Sequence, residues 1–184
     1  MKNKRLICWV AVLVIVLLSS CANIPENAQP VRNFEVNRYL GKWYEIARLD
    51  HKQERNLNNV TAEYGLNGDG TIRVVNSGYN YIKRKHESAT GKAKFRDSQG
   101  IGALSVSFFG PFYSGYNVIA LDRDYQYALV AGESLKYLWI LSRTTAVPDS
   151  IRKDYLQKAK QIGYDTSQLI WVEHNKQPVG APSI

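Results

Sequence analysis

The side chains best suited to chemistry at neutral pH are three histidines, His51, His86 and His174, and two cysteines, Cys8 and Cys21. No histidine stands at a metal-ligand spacing from another histidine or from a cysteine. No G-x-S-x-G elbow exposes a nucleophilic serine. His51 could be assembled with Asp50 and Glu54 into a hydrolytic site, but adjacent charged residues on a loop are usually solvated. The expectation is therefore no enzyme, no metal and no cofactor.

The cysteines point to a different chemistry. Lys2, Lys4 and Arg5 precede an apolar run, Leu6 to Leu18, of thirteen residues. That is short for a membrane span and right for a signal peptide, which is expected to occupy residues 1–20. The run ends in Leu18-Ser19-Ser20-Cys21, which resembles a bacterial lipobox. There the cysteine sulfur takes a diacylglycerol, the peptide is cut before it, and the new amine is acylated. Three chains exceed the two signals that stable anchoring needs. Ala22, in place of an aspartate, implies the outer membrane, with the protein lipid-anchored and facing the periplasm. Cys8 leaves with the leader and Cys21 is lipidated, so no thiol remains for a disulfide, a metal or a nucleophile. The formal charge is +8, and losing the three leader cations leaves +5. That modest excess suits an anionic lipid surface and does not argue for nucleic acid.

The elements that position these residues read as a run of strands. Residues 21–32 carry Pro25 and Pro30 among Asn and Gln, and read as the lipidated N-terminus and a flexible tether. Alternating apolar segments follow at Trp43–Asp50, Val60–Leu66, Thr71–Tyr79, Ala89–Phe95, Gly102–Phe109, Tyr116–Asp122, Tyr127–Ala131 and Tyr137–Arg143. Asn67-Gly68-Asp69-Gly70 is a strong hairpin signal. Eight strands in meander order leave two open edges unless the sheet closes. The predicted fold is all-β, an eight-stranded antiparallel up-and-down barrel. A C-terminal helix over Pro148–Ile162 carries an apolar stripe of Ile151, Tyr155, Leu156, Ala159 and Ile162. Gly163 stops it, and Leu169–Val172 reads as a short final strand.

Two features sharpen that reading. Gly41-Lys42-Trp43-Tyr44-Glu45-Ile46 opens the first strand, and Trp139-Ile140-Leu141-Ser142-Arg143 ends the last on arginine. With Asn33-Phe34 and Tyr39-Leu40 ahead of Gly41, this pattern resembles the lipocalin family, and within it the bacterial outer-membrane lipoprotein lipocalins and apolipoprotein D. The resemblance covers Asn33 to Val172 and makes residues 33–184 one lipocalin domain. It implies a structural plug of Gly41, Trp43 and Arg143, with the guanidinium across the indole at the closed end. If Arg143 points inward, Leu141 and Trp139 share its parity. By the family's pattern Val60, Ala62, Tyr64, Val74 and Asn76 also point in. Leu104, Val106 and Phe108, then Tyr116, Val118 and Ala120, complete the inward set. The resemblance, not composition, implies a cavity among these residues rather than a filled core.

The meander places the segments His51–Asn59, Asn80–Glu87, Gly110–Gly115 and Gly132–Lys136 at one end. This mouth is expected to collect His51, Lys52, Arg55, Lys83, Arg84, Lys85, His86 and Lys136, either as solvated charges or as an anionic-headgroup site. Phe108-Phe109-Gly110-Pro111-Phe112-Tyr113 is an apolar tip at the same end, suited to a lid, a homodimer contact or membrane docking. The functional expectation is an anchored carrier of a fatty acid or lysophospholipid. The alternatives are a structural envelope lipoprotein with a filled barrel and a lipid-modifying hydrolase on the same fold.

Overall fold

The alternation that Trp43 opens becomes β1 (Gly41–Arg48) in a computed structural model that describes residues 23–174. The expected signal peptide at 1–20, the anchor at Cys21 and residues 175–184 lie outside the described residues. Seven further strands follow in antiparallel order: β2 (Leu57–Leu66), β3 (Ile72–Asn80), β4 (Lys85–Phe95), β5 (Ala103–Phe109), β6 (Phe112–Leu121), β7 (Tyr127–Ala131) and β8 (Leu138–Ser142). Each pairs with the next, and β1 pairs with both β2 and β8, so the sheet closes on itself. Closure removes the edges that a meander would expose. The short β9 (Ile170–Trp171) pairs with the second half of β1, where β2 has moved away.

Two turns differ from the sequence reading because strand pairing runs further than hydropathy does. Lys85, His86 and Glu87 continue β4, paired to Asn80, Tyr79 and Gly78. Gly110 and Pro111 alone separate β5 from β6, so Phe112 to Gly115 belong to a strand and not to a loop. Bulges change which way side chains face. One at Ile46 puts Ile46 and Ala47 on the outer wall and returns Arg48 to the interior. Another at Ile119 turns Ala120 outward into the helix-facing cluster, against the expected inward direction.

The long helix is α2 here, Asp149–Ile162, preceded by the four-residue α1 (Val36–Tyr39) that the sequence did not signal. Pro148 suits the start of α2, and Gly163 ends it in the left-handed region at φ 112°. Tyr155, Ala159 and Ile162 pack on Ile119, Leu129, Leu138 and Ile140 of the barrel's outer wall. A second cluster inside the barrel gathers Phe34, Tyr39 and Trp43 against Tyr64, Val118, Tyr125 and Leu141.

The expected flexible tether is a correction. From Asn23 onward the chain lies on the barrel wall. Ala28 is buried in the outer cluster, and the Val31 amide donates to the Val118 carbonyl at 2.8 Å. The Asn23 carbonyl accepts from Asn117 Nδ2 at 2.8 Å. A side chain on Gly115 would collide with Asn23, which is why that position tolerates only glycine.

Candidate ligand cavity

At the closed end, α1 and Phe34 lie across the barrel bottom. Trp43 is fully buried, and its Nε1 donates to the Tyr39 carbonyl at 2.8 Å. The Arg143 guanidinium carbon sits 3.9 Å from the centre of the Trp43 ring. The same guanidinium donates to the carbonyls of Lys42 at 2.8 Å, Arg38 at 2.9 Å and Tyr125 at 3.2 Å. One side chain thus ties together α1, the start of β1 and the β6–β7 turn. Gly41, at φ 87°, lies beside it.

Above this plug is a blind chamber of about 90 Å³ that widens into a mouth of about 770 Å³. The two spaces share Val60, Asn76, Val106, Phe108, Tyr116 and Trp139, so they are continuous. Of the residues expected to line it, Val60, Ala62, Tyr64, Val74, Asn76, Leu104, Val106, Phe108, Tyr116, Trp139 and Leu141 all do. Val118 does not. It is fully buried in the cluster that closes the barrel and touches neither space.

Few of the chamber's polar groups are free. The Tyr116 hydroxyl lies 2.7 Å from that of Tyr39 and 2.8 Å from that of Tyr64. Burial pushes all three phenols up, so they remain neutral and satisfy one another. The Asn76 Oδ1 atom, by contrast, is buried without a hydrogen-bond partner among the described residues. In an apolar wall that is a costly arrangement and marks where a polar ligand group would be welcomed.

The neck between chamber and mouth holds a charged cluster. Arg48 is 1% exposed, and it donates to Glu45 Oε1 at 2.7 Å and to the Glu54 carbonyl at 2.6 Å. His51 Nε2 is 2.7 Å from Glu54 Oε2, which also accepts from Trp139 Nε1 at 3.0 Å. Burial opposes ionisation of Glu54, but the His51 and Trp139 contacts outweigh it and hold the carboxyl below its ordinary range. Burial, reinforced by the Glu54 charge, pushes Glu45 well up despite Arg48. Glu45 and Glu54 both line the chamber. Sequence brings out Glu54 only beside His51 and does not assign Glu45 to the cavity. Glu45 shares Trp43's parity, two residues on, and that signal could have found it. Arg48 could not be found without the bulge.

The expected basic mouth is also corrected. His51, Lys85 and His86 line it, together with Glu54, Glu87 and Glu133. Lys83 is paired to Glu87 at 2.9 Å. Arg55 and Arg84 face an outer groove beside β9, and Arg55 is held by Asp50 at 2.6 Å. Lys52 and Lys136 line neither space. His51 is a half-buried partner of the buried Glu54 and not a solvated loop charge, since each side chain is only 10% exposed.

A closed meander barrel with an apolar blind chamber and one helix on its wall is a barrel built to hold a small molecule. The chain belongs to the lipocalins: the family model described as a lipocalin-like domain matches residues 34–174. It is 50% identical over 163 residues to the outer membrane lipoprotein Blc of Vibrio cholerae, covering 88% of this chain and 95% of that protein. The Escherichia coli K12 protein of the same name is 49% identical over 159 residues, 86% of this chain and 90% of that one. Among solved structures, insecticyanin of the tobacco hornworm superposes with a TM-score of 0.67 at 20% identity, covering 82% of this chain and 86% of that one. The protein is a lipid-binding lipocalin of the cell envelope, lipid-anchored at the outer membrane.

Proposed function

We propose that the chain carries one single-tailed amphipathic lipid, a fatty acid or a lysophospholipid, with its tail in the chamber. The observation that carries this reading is a blind apolar pocket whose phenols satisfy one another and whose charged groups and unpaired Asn76 oxygen gather at the neck. Val60, Val74, Leu104, Val106 and Leu141 offer the tail apolar walls, at about 0.8 kcal/mol per buried methylene. The headgroup stays at the neck and mouth, near Asn76, Trp139 and Lys85, where it keeps part of its hydration. Diacylglycerol on Cys21 holds residues 33–184 at the periplasmic face of the outer membrane. The role is storage or transport of lipid in the envelope.

An enzymatic role has less support. Both ring nitrogens of His51 are engaged, Nε2 with Glu54 and Nδ1 with Gln53 Oε1 at 3.3 Å. Neither is left to activate a nucleophile. The test is a titration of the delipidated protein with fatty acids and lysophospholipids of increasing chain length, followed by tryptophan emission. Saturable binding that tightens with chain length and responds mildly to salt is expected. A folded, delipidated protein that binds none of them would leave a structural role for a filled barrel.

A further inference from the structure

Seven of the ten exposed large hydrophobic side chains among the described residues stand at the open end. Tyr81 and Ile82 occupy the β3–β4 turn, Phe108, Phe109, Phe112 and Tyr113 the β5–β6 hairpin, and Leu135 the β7–β8 connection. Phe109 and Phe112 face each other across the hairpin and are 80% and 73% exposed. A water-facing surface rarely concentrates apolar area this way without something to cover it. Cations flank the patch. Lys83 and Lys85 share the single carboxylate of Glu87, at 2.9 and 3.9 Å, and Lys94 Nζ lies 4.5 Å from the centre of the Tyr113 ring.

What covers the patch follows from where the N-terminal chain goes. Asn23 is fixed against Gly115 and Asn117 on the outer wall of β6. Only Ala22 lies between it and Cys21, two residue steps with a reach of at most about 7 Å. Gly115 is only three residues along β6 from Phe112, about 10 Å at strand rise. The far end of β6, at Leu121, is twice as distant along the strand. The anchor is therefore short, and it starts on the strand whose tip is the aromatic hairpin. A barrel held this closely cannot stand away from the bilayer that holds its acyl chains.

We propose that the open end of the barrel is seated on that same bilayer, with Phe109 and Phe112 dipped into the headgroup–acyl boundary and the flanking lysines on anionic headgroups. The proposal rests on the anchor at Cys21. It adds a direction to lipid binding, because Phe108, Phe109 and Phe112 also line the mouth. A lipid leaving the leaflet passes over these rings into the chamber without crossing bulk water.

The mature chain offers no other free thiol, so Phe109→Cys and Ser98→Cys, the latter on the closed-end β4–β5 turn, each give one site for an environment-sensitive fluorophore. The acylated full chain is floated with vesicles of phosphatidylethanolamine and phosphatidylglycerol whose acyl chains carry a nitroxide. The fluorophore at 109 should shift to the blue and lose most of its emission to the nitroxide, while that at 98 changes in neither respect. The paired variant Ile82→Ser, Tyr113→Ser, at two exposed residues of the patch that line neither chamber nor mouth, should still float and still bind lysophospholipid, but take it up from vesicles several-fold more slowly. Floated protein with both fluorophores insensitive to the nitroxide would overturn the docking and leave the anchor standing. A blue shift at 109 that ignores the nitroxide and grows with protein density would give the tip to a second copy and also overturn it. Protein that fails to float would remove the anchor, and the docking with it.

Discussion

At the closed end, Trp43 is fully buried, and the Arg143 guanidinium above it donates to three carbonyls from three segments. At the open end, Phe109 and Phe112 stand in solvent, and Lys83 and Lys85 reach only Glu87. Aromatic rings and cations are present at both ends. The difference between them is desolvation. A cation half removed from water over a buried indole is a strong contact, whereas an exposed ion pair contributes about 0–1 kcal/mol. The turns follow the same division. The closed end is capped by Asp69, Asp97, Asp122 and Asp124, of which Asp69 and Asp122 bond the backbone of their own turns. The closed end is built for stability, and the open end is left apolar and adaptable.

This contrast can be broken by substitution. Trp43→Ala should cost about 3–5 kcal/mol in denaturant unfolding, the largest loss in the barrel. Arg143→Ala should cost about 1.5–3 kcal/mol, the range for hydrogen bonds to a charged group. The two losses should be sub-additive, since they share one contact, and a double-mutant cycle with no coupling would dissolve the plug. At the neck, Trp139→Ala leaves buried Glu54 one donor short, which should cost about 1–3 kcal/mol and weaken lipid binding in the titration.

The neck also predicts a pH response. Glu54 is held below its ordinary value of 4.5, so its ionised form contributes stability that is full above that value and lost as the pH falls below it. Glu54→Gln should be less stable than the parent at neutral pH, and the gap should close on acidification through that window. Glu45, pushed up by burial, contributes in the opposite sense. Unfolding midpoints that keep a constant gap across the window would exclude an ionised Glu54. The smallest effects belong to the open end. Phe109→Ser should change stability by no more than about 0.5 kcal/mol. Charge reversal at Lys85, the cation of that turn that lines the mouth, should shift headgroup preference more than affinity, by about 0–1 kcal/mol.

Much of the closed end was legible in the sequence. The spacing of Trp43 and Arg143 is a long-range pattern, and Gly70 of the Asn67-Gly68-Asp69-Gly70 turn is a position where backbone conformation restricts residue choice. The inward residues of β2 and β3 followed from the family's pattern, and those of β8 from alternation counted back from Arg143. Alternation fails at a bulge, because one extra residue inverts every face beyond it. That is why Ala120 turned outward and Arg48 turned in. The His51–Glu54 pair is formed by a loop folding over the neck, and no periodicity encodes it. The N-terminal segment reads as a tether because prolines and amides look alike in a flexible linker and in a strap laid along a wall. The difference lies in the contacts of Ala28 and Asn23.

Closure between β1 and β8 also sets a timetable. The Arg143 bond to the Lys42 carbonyl joins residues 101 positions apart, and Tyr44 pairs with Ser142 across nearly the same span. The first strand to emerge during synthesis is the last to acquire its second neighbour. Until β8 arrives, Trp43, Ile46 and Ala47 sit on an unpaired edge that any other extended chain can join. Contacts of such long separation form slowly, because the loop must close before it is rewarded. The hazard in making this protein is therefore kinetic: it scales with the lifetime of the open sheet, and a stronger plug shortens that lifetime only if it already forms in the transition state.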